Sequence, residues 1–344
     1  MHRLSACLVL LLLAAAQPAI AAPQPPNIAS TAAGLAWISA YRGKPEPAQV
    51  PAVIEALSRL NAFDNPENCG SYVGFLAGVL ADNPATAETL IAESLKMRSA
   101  DQWLVLRAIA YSGLPDWKPL LRQYAARVPA RRAMIDKYIG GKLPTLAQVS
   151  IAPEPSAWQR FIGHFRLSKP GRKVRLEPSP DVLDTLWGYY FGTGSYGPIL
   201  QLIAMLPWSN DRNDAARLTI GSMAKYTLAR NASHDQALLA MLVSSSKAPN
   251  APKDMVKILN EIIEAAQTVD TAAIREQALA AIEELKRKGP ANKRAVSWWG
   301  YIGESTIAAG CLAAAVASYT AAGLPCIIGG STASAAMNFW ANQP

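Results

Sequence analysis

The chain has 344 residues and carries 33 Lys and Arg against 25 Asp and Glu, a formal net charge of +8, with half of its residues hydrophobic. That length is enough for a large core or two domains of ordinary size. Four cysteines are too few for a disulfide-stapled scaffold, and the absence of a CxxC pair argues against a redox dithiol or a structural zinc site.

Residues 1–22 read as a cleavable export signal. His2 and Arg3 precede an uncharged run from Leu4 to Ala16, and Gln17-Pro18-Ala19-Ile20-Ala21-Ala22 ends in small residues. The apolar run is too short for hydrocarbon about 30 Å thick. Cleavage after Ala21 or Ala22 is expected, leaving a Pro-rich leader over 23–30 and a mature charge of +7. The expected location is therefore exported, periplasmic or secreted if the host is bacterial.

Region 31–150 is predicted to be helical. Val50, Val53, Ile54, Leu57 and Leu60 fall on one face at helical spacing. Tyr72–Leu80 is continuously apolar and stops at Asp82-Asn83-Pro84, after which Leu90, Ile91 and Leu95 restart the pattern. A further helix over Gln102–Tyr111 stops at Ser112-Gly113, and another runs from about Trp117 to Val128. Such Gly and Pro punctuation closes one helix and opens the next, as in short helical hairpins.

Segment 151–180 reads as a basic linker or a β-hairpin. His164–Leu167 and Lys173–Leu176 alternate around Lys169-Pro170-Gly171-Arg172, predicting strand-like structure near 164–176. From Lys118 to Arg175 there are thirteen Lys and Arg against only Asp136 and Glu154. A concentrated positive stretch attracts anions. The candidate surface for an anionic partner comprises Arg122, Arg131, Arg132, Arg166, Arg172 and Arg175. An acidic envelope component or an acidic protein suits an exported chain, whereas export argues against nucleic acid. The alternative is a solvated face that only keeps the protein soluble.

Region 181–296 resumes the helical pattern. Ser179-Pro180-Asp181 has N-capping chemistry. Helices are predicted over Leu183–Thr193, Ile199–Leu206, Asp211–Arg230, His234–Val243, Lys253–Gln267 and Thr271–Lys288, with Gly194 and Pro207 as stops. Leu186, Tyr190, Gly194, Tyr196 and Ile199 resemble the first helix, turn and second-helix entry of a tetratricopeptide repeat. That resemblance covers about twenty residues and does not recur at the 34-residue period of the family. It implies stacked helical hairpins and, by analogy, partner binding on a concave surface. The fold class expected is all-α, a stack of helical hairpins of α-solenoid, TPR-like or irregular kind.

Residues 297–344 form an uncharged, small-residue-rich tail, with no charged side chain after Glu304. It is weakly hydrophobic and interrupted by Gly310, Gly323 and Pro325, so a buried or docked hairpin is favoured over membrane insertion through 305–328. Use as an apolar self-association surface is a third reading. Cys311 and Cys326, flanking Gly323-Leu324-Pro325, are a possible disulfide, which leaves Cys69 as a small buried residue.

Catalytic machinery is sparse. Beyond the leader only His164 and His234 remain, and His234-Asp235 reads better as a helix start than as part of a triad. No dinucleotide fingerprint or P-loop is present, so no cofactor is expected. The aromatic and glycine run Gly188–Gly197 is read as core and turn, with sugar or peptide stacking as the functional alternative. Asp181, Asp184, Glu261, Glu264 and Glu304 are carboxylates from which a glycosidase-like pair would have to come. The reading that results is a non-enzymatic binding or scaffold protein of the envelope, with a paired-carboxylate hydrolase or a tail-anchored membrane protein as alternatives.

Overall fold

The computed structural model describes residues 26–149, 176–274, 276, 277 and 280. Among the described residues the protein is all-α, a packed array of short helices without a strand. The elements are α1 (Thr31–Ala40), α2 (Val50–Arg59), α3 (Gly70–Asp82), α4 (Ala87–Ser94), α5 (Trp103–Tyr111), α6 (Trp117–Ala125) and α7 (Arg132–Ile139), then α8 (Pro180–Thr193), α9 (Gly197–Met205), α10 (Ala215–Ala232), α11 (Gln236–Ser246) and α12 (Lys253–Thr268). Of the β-hairpin expected near 164–176, all but Leu176 lies outside the described residues. Leu176 makes one isolated parallel bridge to Val149.

Side-chain capping sets four of the helix starts, those of α1, α8, α10 and α11. Ser30 Oγ accepts from the Ala33 N–H at 3.1 Å, and Ser179 Oγ accepts from the Val182 N–H at 3.2 Å with Pro180 in the first turn. Asp235 Oδ1 accepts from the Leu238 N–H at 3.0 Å, so His234-Asp235 is a helix start. Gly194, in the left-handed region at φ 67°, closes α8.

Local chemistry also explains where the helices depart from the apolar pattern. The helix expected from Asp211 begins at Ala215. Asp211 Oδ1 is occupied by the N–H groups of Asn213 and Asp214, and Asp214 is the residue that caps the helix. The helix after Trp117 stops at Ala125, short of the Pro129 that opens the next turn. Leu60 continues the α2 spacing but is exposed, because the chain turns away through Asn61 at φ 59°. The helix α7 lacks a long apolar run and buries only Ile135 and Tyr138.

The centre of the molecule is the crossing of α3 and α8. In α3, Gly70, Gly74 and Gly78 recur every fourth residue, and in α8 Gly188 and Gly192 do the same. A methyl group on Gly78 would lie 2.8 Å from the Tyr189 carbonyl oxygen, and one on Gly192 would lie 2.7 Å from that of Phe75. A methyl on Gly74 or Gly188 would collide with the backbone of Thr185 or Ser71 respectively. Only hydrogen at these positions allows the two backbones to touch, which is the small-residue mode of close helix packing. Large side chains flank the seam. Trp37 and Tyr41 meet Phe75 edge-on at 5.9 and 5.0 Å, while Trp187 stacks on Phe191 at 5.8 Å. Trp187 Nε1 donates to Thr227 Oγ1 at 3.0 Å, tying α8 to α10. Helices on both sides of residues 150–175 therefore contribute to one hydrophobic core.

Candidate functional site

The helices α6 and α7 carry the described part of the basic stretch. α6 turns Leu120, Leu121 and Tyr124 inward, and the Tyr124 hydroxyl donates to the Glu88 carbonyl of α4 at 3.0 Å. α7 buries Tyr138, whose ring meets Tyr111 of α5 edge-on at 6.4 Å. With the apolar positions committed to α4 and α5, Lys118, Arg122, Arg127, Arg132, Lys137 and Lys142 are left exposed.

These cations have little to neutralise them. Asp136 is the sole acid between residues 117 and 149, and it lies 4.0 Å from Arg132 with both side chains mostly in solvent. Such a pair contributes little. Lys118 sits over the Trp117 ring and Arg127 over the Tyr124 ring, at 5.4 and 5.5 Å. Arg122, Lys137 and Lys142 have no ion-pair or ring partner among the described residues. Arg131 differs from its neighbours. It is half-buried, its guanidinium donates to the Ala100 carbonyl at 2.6 Å, and its Nε has no partner, so it ties the α7 entry to the chain before α5. Arg122 and Arg132 thus lie on the surface, whereas Arg131 is held inside its margin. Arg166, Arg172 and Arg175 lie outside the described residues, as do Cys311, Cys326, His164 and the tail 297–344.

Two carboxylates come together elsewhere, on α8. Asp181 and Asp184 are three residues apart and both face the N-terminal end of α3 beside Gly70. Asp181 Oδ2 accepts from Arg107 at 2.7 Å, and Arg107 in turn lies 5.0 Å over the Tyr111 ring. Burial pushes Asp181 above the ordinary carboxylate range, and the Arg107 charge only partly opposes it. Asp184 is 3% exposed, and its Oδ1 has no hydrogen-bond partner. Burial, reinforced by Asp181, pushes it well above the ordinary carboxylate range. A general acid must reach its substrate within hydrogen-bonding distance. Asp184 is enclosed in a helix seam and makes a poor candidate for that role. Cys69 beside it is buried, donates to the Asn65 carbonyl at 3.1 Å, and is pushed up to about 12 by desolvation, which leaves it an unreactive thiol.

The Gly188–Gly197 run is mostly interior. Tyr190 is buried and donates to Asp235 Oδ2 at 2.6 Å, and Arg42 lies 5.1 Å over its ring while also binding Asp235. Phe191 is buried and Tyr189 donates to the Ser112 carbonyl at 3.0 Å, leaving Tyr196 as the exposed ring. His234 is exposed. Among the described residues no group of three His, Cys, Asp or Glu side chains is placed to hold a metal ion, and no helix is long and apolar enough to cross a membrane.

The chain matches no protein family, no curated protein and no solved structure. Its function has to be read from its own geometry. Sequence reasoning found the basic stretch but could not separate Arg131, whose carbonyl partner Ala100 is 31 residues away. It also saw Asp181 and Asp184 without seeing their burial, which depends on glycines more than a hundred residues earlier.

Proposed function

We propose that this is an exported, non-enzymatic binding protein of the cell envelope, whose α6–α7 hairpin docks an anionic partner. The observation that carries the reading is the set of exposed cations Arg122, Lys137 and Lys142, none with an ion-pair partner among the described residues, on a hairpin with a single acid. Charges left without counter-ions on a packed scaffold give a local positive potential that steers and holds anions. The large hydrophobic side chains most exposed among the described residues, Leu60, Tyr196 and Val269, are all off this hairpin. An acidic protein or a hydrophilic envelope polyanion therefore fits better than insertion into lipid. Export is supported by the leader composition of residues 1–22. The test is co-purification from an extracytoplasmic fraction of the native host, comparing the wild-type chain with Arg122→Glu/Lys137→Glu. Recovery of one acidic companion by the wild type, lost in the double variant and weakened by salt, is the expected result. Recovery that is indifferent to both charge and salt rules the reading out.

A further inference from the structure

A second site, separate from the basic hairpin, is lined by residues of the C-terminal helices. A cleft of about 460 Å³ opens between α10, α12 and the turn Leu206–Asn210. That size is within the range of small-molecule sites, roughly 300–1,000 Å³. Three features of the chain create it. The turn sits directly on α10 because residue 221 is glycine, where any side chain would strike Trp208 and Ser209. α12 places Asp254, Lys257, Ile258 and Glu261 along one helical face toward the opening, while Leu259, Ile262 and Ala266 are buried. Ile274 and Gln277 line it beyond the end of α12.

The wall contains two buried polar groups with unused hydrogen-bonding capacity. Lys225 of α10 has a side chain only 9% exposed, an unusual position for an ammonium. It donates to Glu261 Oε2 and, at 3.0 Å, to Gln277 Oε1. A lysine ammonium has three donors, so one remains on a residue that lines the cleft. Ser222, one turn earlier and 3% exposed, also lines the cleft, and its hydroxyl has no protein partner among the described residues. At the rim, Arg212 and Lys257 are exposed and free of ion pairs among the described residues. Glu261 is neutralised by Lys225. Asp254 occupies the first turn of α12, where the helix dipole favours a carboxylate. Three cations against two carboxylates leave the lining with a formal charge of +1.

We propose that this cleft binds a small oxyanion, a phosphate or carboxylate group on a polar metabolite-sized molecule. The Ser222 hydroxyl and the third Lys225 donor read the oxyanion, and Arg212 and Lys257 draw it in. The paired Lys225 and Glu261 keep the recognising ammonium fixed before the ligand arrives, which lowers the cost of ordering it on binding.

The proposal is tested by titrating the full chain with inorganic phosphate and, separately, with citrate, following binding by calorimetry. Saturable binding of either probe is expected. Ser222→Ala and Arg212→Gln/Lys257→Gln should each weaken it about tenfold, the scale of a lost charge-assisted hydrogen bond. Lys247→Gln, at an exposed lysine just after α11 that lines neither the cleft nor the basic hairpin, removes the same type of charge elsewhere and should leave binding unchanged. These residues are exposed or are replaced by a smaller side chain, so far-ultraviolet circular dichroism should show intact folds. No saturable binding of either probe overturns the proposal, and so does binding indifferent to Ser222 and the rim charges. Equal weakening by Lys247→Gln also overturns it, because binding would then follow net charge alone.

Discussion

Gly74 of α3 rests against the backbone of Thr185 of α8 so closely that no β-carbon fits between them. Gly188 makes the reciprocal approach to Ser71. Each collision is with backbone, which cannot rotate away as a flexible side chain can. Gly74→Ala and Gly188→Ala should therefore separate the two helices, at a cost of about 3 kcal/mol each, the upper end of ordinary overpacking. Gly43→Ala is the matched control, since nothing lies near its position, and it should change stability by no more than about 0.5 kcal/mol. Urea unfolding of the three variants checks this. Equal stability of Gly43→Ala and Gly188→Ala would show that the seam is looser than described.

The helical architecture was largely legible because its causes are local. Ser179-Pro180, Asp235 and Gly194 mark helix ends in the chain itself, and the structure uses each of them in that way. The seam was also written in the sequence, as glycines at four-residue spacing in 70–78 and 188–192, but the spacing alone does not say which helix faces which. Tyr190 read as part of an aromatic and glycine run, and its burial depends on Asp235 and Arg42, which are distant in the chain. The basic stretch was legible as charge, whereas the cleft at Lys225 was not, because its walls come from three segments joined only by folding.

The buried Asp184 should make stability fall as pH rises. Its folded-state value is raised above that of an unfolded aspartate, near 3.9. The folded chain therefore holds a proton that the unfolded chain has lost. The associated stability is fully present below the unfolded value and is lost as pH climbs toward the folded one, by up to about 1.4 kcal/mol per pH unit. Asp184→Asn replaces the protonated acid with a neutral isostere and should remove that slope. Thermal unfolding from pH 4 to pH 8 should show the variant gaining on the wild type as pH rises. Parallel curves would mean that Asp184 is ionised in the folded protein.

Asp235 should act in the opposite sense. Although burial opposes its charge, the Tyr190 hydroxyl, the Leu238 N–H and Arg42 lower it below the ordinary carboxylate range. Its contribution is present above the unfolded value and is lost as pH falls through the folded one, so it belongs to the acid limb below about pH 4. Asp235→Ala removes a helix cap and leaves Tyr190 and Arg42 without their acceptor. A loss of about 2–4 kcal/mol at neutral pH is expected from the cap and the buried hydroxyl together. Asp235→Asn, which can still cap α11, should lose less. Denaturant midpoints for the pair separate the cap from the charge.

Val269 ends α12 in the left-handed region at φ 57° and is 57% exposed. A β-branched side chain is poorly suited to that conformation, and its exposure means that little packing compensates. Glycine removes the clash between the β-carbon and the backbone at a position where helices commonly end in glycine. Val269→Gly should therefore stabilise the protein by up to about 1 kcal/mol, the local relief being partly offset by the greater freedom of glycine in the unfolded chain. Val269→Ala keeps the β-carbon and should gain much less. The comparison also bears on the cleft, since Val269 connects the α12 wall to Ile274 and Gln277. A midpoint that rises for glycine and stays put for alanine locates the strain in the backbone. Destabilisation by both substitutions would show instead that the valine side chain contributes packing at the end of α12.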